Sequence, residues 1–426
     1  MSVAQRFREI REGFETPFWV ANVTEIFERL SYYAVFAMLV RYLNEALQFP
    51  IETAAQLGGW FGTGVWIMAL FGGALADRIG FRRALSLAYF ILTIAYFLVG
   101  SIAAPWLAPV RNVVPLGLLA GMILFLPALG VALVKPSVVG TVARASKPSV
   151  RSIGYSIYYT MVNIGSTLGP LLAGWGQDHL RPESIFRVAA GSVFLMFMAV
   201  LIFFREPRAS EGEKAPSFGV VGRNFLTVLG NARFVLFLLI FSGYWIVFWQ
   251  QYLTLPSYIV KYVDAKAKTG YILATDPIIV IAFTVAISAA TRKIEAFRAV
   301  ILGTLITALG WVFLAAHSSV LMAVAALVFV ALGEIIQSPR YYEYISRLAP
   351  PGQQGTYMGF AFLPIGIGSL VGGWFSGKLL HEFGEVRQQP EMVWWISTGL
   401  GVLTALLLFI YHRVAQPPPA AEAKAA

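Results

Sequence analysis

Residues 25–33 read Glu25-Ile26-Phe27-Glu28-Arg29-Leu30-Ser31-Tyr32-Tyr33, and they lie inside an apolar run that extends over about 17–47. A run of that length is long enough to cross a bilayer as a helix. In a helix, residues three and four apart share a face, which brings Glu25, Glu28 and Arg29 within one turn of each other. A charge at mid-bilayer costs roughly 2.5–3.5 kcal/mol on insertion scales. Three charges in one turn therefore point to a protonatable cluster facing a water-accessible path. The plainer alternative is a structural ion pair between Glu25 and Arg29, which leaves Glu28 as a second acid beside a single arginine.

Working outward, the 426-residue chain is 58% hydrophobic and only 13% charged. Soluble domains carry about 25% charged residues, so the composition is that of an integral membrane protein. Apolar runs of about 20 residues recur along the whole length, and strand-like alternation is absent. The runs predict spans at about 17–47, 54–76, 81–104, 113–143, 153–177, 184–204, 233–262, 269–290, 297–316, 319–346, 355–381 and 391–412. The fold class expected is an all-α membrane protein of twelve transmembrane helices in two six-helix, pseudo-symmetric bundles. The longest polar stretch, 205–232, is too short for a soluble domain. Cysteine is absent, so no disulfide forms and the redox compartment is not legible. No cleavable signal peptide is visible ahead of the first span.

The net charge is +10. Most of the Lys and Arg fall at the N-terminus, in the even-to-odd loops and at the C-terminus, which places both termini in the cytoplasm of a cell membrane. The positive charges are scattered over loops rather than drawn into a stripe, so no nucleic-acid partner is implied. The Pro417-Pro418-Pro419 segment and the Ala-rich end read as a disordered tail over 416–426.

Two stretches repeat at a constant offset of about half the chain. Lys135-Pro136 matches Ser338-Pro339, Arg144 matches Arg347, and Pro148 matches Pro351. Ile164-Gly165-Ser166 matches Ile367-Gly368-Ser369, Gly169 matches Gly372, and Gly174 matches Gly377. One register across a helix, a loop and a second helix implies two related halves, 1–204 and 233–415, joined by a cytoplasmic linker over 205–232. Repeated halves of this kind place a substrate site at their interface and reach it by alternating access. The glycines also serve close helix packing.

Between the second and third runs lies Gly73-Ala74-Leu75-Ala76-Asp77-Arg78-Ile79-Gly80-Phe81-Arg82-Arg83. This resembles the loop signature of the major facilitator superfamily, in which the acid and the basic cluster act as a cytoplasmic latch. The resemblance implies gating roles for Asp77, Arg78 and Arg82. Contacts of this type, a carboxylate at a helix N-terminus or on an arginine, must break for an inner face to open. The arginines also satisfy the charge rule for cytoplasmic loops.

Within that superfamily the chain resembles the proton-coupled oligopeptide transporters. Glu25, Glu28, Arg29, Tyr32 and Tyr33 match that family's first-span signature, with Leu30 and Ala34 as departures. Lys135-Pro136 matches its fourth span, and Tyr159 with Val162-Asn163-Ile164-Gly165-Ser166 is similar to its fifth. Gly333-Glu334, Ser338-Pro339, Glu343-Tyr344, Leu348-Ala349-Pro350 and Met358-Gly359 are similar to its tenth and eleventh. The resemblance implies that Glu25 and Glu28 carry protons and that Arg29 holds one or both ionised. Lys135 would compete for those carboxylates or grip a substrate carboxylate. Glu334 would receive a substrate ammonium, Tyr32, Tyr33 and Asn163 would hydrogen-bond the substrate, and Trp245 would shape the pocket. The chemistry is also sound by itself, because proton affinities of buried acids and lysines change steeply with hydration and pairing.

The departures are Phe36 in place of a second first-span arginine and Trp249 in place of a seventh-span acid. Val139-Gly140-Thr141 replaces a polar stretch, and the linker is too short for two extra helices. Phe36 and Trp249 point towards a more apolar or non-peptide substrate, with Trp249 among its contacts. The leading expectation is proton-driven uptake of small zwitterionic solutes, di- and tripeptides first, by a functional monomer in the lipid bilayer. No cofactor is expected beyond the proton gradient. The alternative is a proton-coupled drug or metabolite exporter, since Gly165-x-x-x-Gly169-Pro170-x-x-Ala173-Gly174 resembles the fifth-span motif of facilitator antiporters. An enzyme is not expected. No Ser-His or His-Glu-x-x-His arrangement is present, and His179, His317, His381 and His412 lie near span ends. There is no nucleotide-binding loop, hence no ATP drive.

Overall fold

In the computed structural model the apolar runs are helices. The structure describes residues 13–147, 150–207, 218–349 and 354–414. The Pro148–Pro351 match, the centre of the linker and the 416–426 tail lie outside the described residues. Among the described residues nine helices are long and apolar enough to cross a membrane. Three others, of 26, 29 and 29 residues, have the length to cross as well. In chain order these are α1 Thr16–Arg41, α2 Ile51–Ile79, α3 Phe81–Val99, α4 Leu116–Arg144, α5 Arg151–His179 and α6 Pro182–Phe203. They continue as α7 Ala232–Leu253, α8 Thr269–Thr291, α9 Ala296–Ala316, α10 Val320–Leu348, α11 Tyr357–Val386 and α12 Met392–Val414. No strand occurs among the described residues beyond a single bridge between Phe14 and Ser146. The expected linker holds a short helix of its own, Phe218–Leu229.

The chain divides into two compact units, Met1–Phe36 with Met68–Ser217 and Ala37–Ile67 with Phe218–Ala426. This differs from a cut at the linker in one segment. Residues 37–67, the end of α1 and most of α2, group with the second unit. The reason is close packing: a Cβ on Gly59 would stand 2.5 Å from the Ser369 carbonyl oxygen and 2.9 Å from the Gly373 Cα. Thr63 Oγ1 donates to Gly366 O at 3.1 Å, and Ser369 Oγ donates to Gly59 O at 3.1 Å. Small residues let helix backbones approach this closely in a membrane, where burial from lipid supplies no hydrophobic gain.

In the first unit α3 packs on α4 and α6; in the second, six helices later, α9 packs on α10 and α12. The repeat also appears in the glycines. Gly165 of α5 seats against α1 at Ile26 and Arg29, and its sequence match Gly368 of α11 seats against α7 at Trp245. Prolines open specific carbonyls: Pro136 has no N–H for the carbonyl of Ala132 four residues before it. That carbonyl faces Gly72 of α2, where a Cβ would stand 1.8 Å from the oxygen.

Candidate functional site

The first unit gathers most of the residues that the sequence singles out. Glu25 and Glu28 are fully buried and Arg29 is 2% exposed. Arg29 Nε donates to Glu28 Oε2 and stands 3.5 Å from Glu25 Oε1. The guanidinium lies 5.3 Å from the centre of the Tyr32 ring. Lys135, half-buried beside the Pro136 break in α4, is within electrostatic reach of Glu25, Glu28 and Arg29. Two carboxylates and two cations thus share one low-dielectric site. Coulomb attraction is strong there and the desolvation cost is also high, so removing any one charge leaves another uncompensated. Glu28 Oε1, Glu25 Oε2 and Arg29 Nη2 have no hydrogen-bond partner among the described residues.

The local sequence explains why this turn of α1 is held so firmly. The Gly165–Gly169 face of α5 lies directly on it. A Cβ at Gly165 would stand 2.5 Å from Ile26 O and 2.6 Å from the Arg29 Cβ, and one at Gly169 2.6 Å from Leu30 O. On α3, Tyr89 and Tyr96 are fully buried and face the charges of Glu28 and Arg29. These two tyrosines, two turns apart in an apolar helix, were not singled out from the sequence, although their seven-residue spacing was available. Tyr32 is buried, edge-on to half-buried Tyr33 at 5.1 Å and 5.8 Å from Phe36. Asn163 folds back, its Nδ2 donating to Tyr159 O at 2.8 Å.

In the second unit Glu334 of α10 is half-buried and lies within electrostatic reach of Asp276 of α8, which is 4% exposed. Tyr244 of α7 is buried beside both acids. Trp245 is 8% exposed and edge-on to Tyr244 at 5.2 Å. Trp249 is buried, and its Nε1 donates to Ile365 O at 3.1 Å, so its polar edge is engaged with α11. Asp276 was not read from the sequence, where the Asp276-Pro277 pair looks like an ordinary helix start. Here α8 is interrupted at Ala274, and Asp276 opens the second segment inside the span.

At the short connection between α2 and α3, Gly80 has φ +85° and allows an immediate turn. Glu206, just after α6, caps α3: Oε1 accepts from Phe81 N at 2.8 Å and Oε2 from Arg82 N at 2.7 Å. Arg82 Nη2 donates to Leu201 O at 2.9 Å. Glu206 was also not foreseen, because nothing local marks an acid that caps a helix more than a hundred residues away. Arg78 and Arg82 are exposed and, with Arg83, Arg144 and Glu206, line a groove of about 790 Å³. The Asp77 side chain lies outside the described residues. Arg144 stacks on Phe81 at 4.5 Å.

Comparison with known proteins follows the same direction. The model of the Major Facilitator Superfamily matches residues 23–363 and 265–426. The chain belongs to the Major Facilitator Superfamily. It is a multi-pass membrane transporter rather than an enzyme. Among curated relatives of this facilitator, Multidrug resistance protein MdtH of Sodalis glossinidius is 26% identical over 82% of this chain and 82% of its own length. The protein of the same name from Aeromonas hydrophila is 26% identical over 81% and 83%. Among solved structures, a POT family transporter in complex with 5-aminolevulinic acid superposes with a TM-score of 0.75 at 18% identity, covering 94% of this chain and 96% of that one. The nucleoside transporter NupG gives 0.78 at 12% identity, covering 92% and 99%. At these identities the structural likeness carries the fold.

Proposed function

We propose that this facilitator is a proton-coupled exporter of amphipathic organic compounds, working by alternating access as a twelve-span monomer with cytoplasmic termini. The observation that carries the reading is the buried set Glu25, Glu28, Arg29 and Lys135, in which two acids and two cations can exchange partners. With both carboxylates ionised, Arg29 and Lys135 are held and the set is balanced. A proton on either acid frees a cation, which must then find another partner, and a bistable helix arrangement responds to such a change. In an exporter the ionised set belongs to the state that loads substrate from the cytoplasm, and protons arriving from outside reset it. Asp77, Arg78 and Arg82, with Glu206 fixing their loop, act as the cytoplasmic latch.

Two features favour export of organic compounds over peptide uptake. The relatives aligned over four-fifths of the chain are named for multidrug resistance. Phe36 and Trp249 are aromatic at positions where a charge would serve a peptide. Peptide uptake is the second reading, favoured by Lys135 and Glu334 as opposite charges for a zwitterion. The deciding experiment energises everted membrane vesicles and follows a fluorescent amphipathic dye, with labelled dipeptide uptake measured in right-side-out vesicles. Dye accumulation in everted vesicles, collapsed by dissipating the proton gradient, supports export. Gradient-driven dipeptide uptake without dye movement overturns it in favour of the second reading.

A further inference from the structure

The charged turn of α1 is bordered on the α3 side by two phenols to which the coupling mechanism above gives no part. Tyr89 and Tyr96 are fully buried, as are Glu25 and Glu28. Neither phenol hydroxyl has a hydrogen-bond partner among the described residues, and the same holds for both oxygens of Glu25 and for Glu28 Oε1. Donors and acceptors are thus left over together within one dry site. Buried polar groups are nearly always paired, so a concentration of unpaired ones needs a reason. The two phenols divide the acids between them. Tyr89 stands nearest in effect to Glu25, with the Thr24 hydroxyl beside it, while Tyr96 faces Glu28 and lies by Arg29 and Tyr32. Thr24 Oγ1 donates to Ala21 O at 3.0 Å, so its own proton is engaged with the helix.

Packing alone does not call for these hydroxyls. Every other buried residue of α3 is apolar, and a phenylalanine ring fills the same space as a tyrosine ring. A buried hydroxyl without a partner is a net cost, which is offset only in a state where it meets an acceptor. The acceptors that these hydroxyls face are the α1 carboxylates. The charged groups acting on those acids are Arg29 and Lys135, with Tyr33 beside Arg29. On the remaining sides α5 presents Gly165 and Gly169, and α6 meets the turn through Ala189. We infer that Tyr89 and Tyr96 are positioning residues for the coupling acids, Tyr89 donating to Glu25 and Tyr96 to Glu28 whenever Arg29 or Lys135 moves to another partner. The phenols keep their protons and supply hydrogen bonds only. A hydrogen bond to the charged form favours ionisation, so each phenol holds its carboxylate ionised between one cation and the next. This rests on the proton-coupling reading and names the residues that set the pH at which coupling runs.

The test is an infrared titration of the protonated-carboxyl band of the purified, full-length protein in nanodiscs, without substrate or gradient. The part of the band missing in Glu25→Gln and the part missing in Glu28→Gln identify the two acids. Tyr89→Phe should move the midpoint of the Glu25 part to higher pH by about one unit, a tenfold change, and Tyr96→Phe should do the same to the Glu28 part. Both variants keep the ring and every charge of the set. Tyr411→Phe loses a bond of 3.1 Å to Arg233 O in the second unit, and should melt earlier than wild type with both midpoints in place. The pH dependence of substrate-driven proton movement reads the same midpoints a second way and should move up with them. A midpoint that stays or moves down overturns the assignment of that tyrosine. An equal shift in Tyr411→Phe, or α1 carboxyls that do not titrate, overturns both. Substrate-driven proton movement by wild type survives an unmoved midpoint, so the coupling reading fails separately.

Discussion

Gly165→Ala is the smallest change that tests how α5 holds the charged turn of α1. The added Cβ would stand 2.5 Å from Ile26 O, 2.6 Å from the Arg29 Cβ and 3.2 Å from Leu30 N. Cβ atoms essentially never approach a heavy atom closer than 3.0 Å, so at least 0.5 Å must be found. Two of the three neighbours are backbone, and the Arg29 Cβ is fixed to it, so no flexible side chain can yield. The helices must separate, and overpacking of this kind costs about 1–3 kcal/mol. Because Arg29 is one of the atoms pushed, its contact with Glu28 should loosen too. The assay is thermal unfolding in detergent by size-exclusion fluorescence, with Gly191→Ala and Gly399→Ala as controls, where a Cβ meets nothing within 4 Å. Gly165→Ala should melt clearly below wild type, and Gly368→Ala, its repeat partner against Trp245, should do the same. If Gly165→Ala melts with the two controls, the seating of α5 on α1 is wrong.

Other outcomes follow from named contacts. Glu206→Ala removes the acceptor for Phe81 N and Arg82 N and should cost about 0.5–2 kcal/mol, seen as earlier melting and faster proteolysis near residue 80. Gly80→Ala should destabilise by about 1 kcal/mol because φ +85° disfavours a side chain, and thermal unfolding reads it; melting equal to wild type would mean that the turn is different. Trp249→Phe loses the indole bond to Ile365 O and should cost about 0.5–1.5 kcal/mol in the same assay.

The helical architecture was legible because membrane spans are set by length and apolarity, and these are local. The α1 cluster was legible because Glu25, Glu28 and Arg29 are close in sequence, and Lys135 was added through the resemblance of Lys135-Pro136 to the fourth span of the oligopeptide transporters. The matched Gly165 and Gly368 indicated the repeat, and both lie at corresponding helix contacts. Asp276, Glu206, Tyr89 and Tyr96 were not foreseen, since each takes its meaning from a partner on another helix. The grouping of 37–67 with the second unit was illegible for the same reason: Gly59 and Gly373 meet across three hundred residues. The fold also places the Trp249 indole in a packing bond, which sequence patterns do not distinguish from a substrate contact.

The central claim is that the acids of α1 couple protons to transport. Its most direct test is substrate-driven proton movement in proteoliposomes containing a trapped pH dye, measured beside substrate exchange without a gradient. Glu25→Gln and Glu28→Gln should abolish the substrate-driven pH change in at least one variant while exchange persists. Undiminished proton movement in both variants would contradict the account.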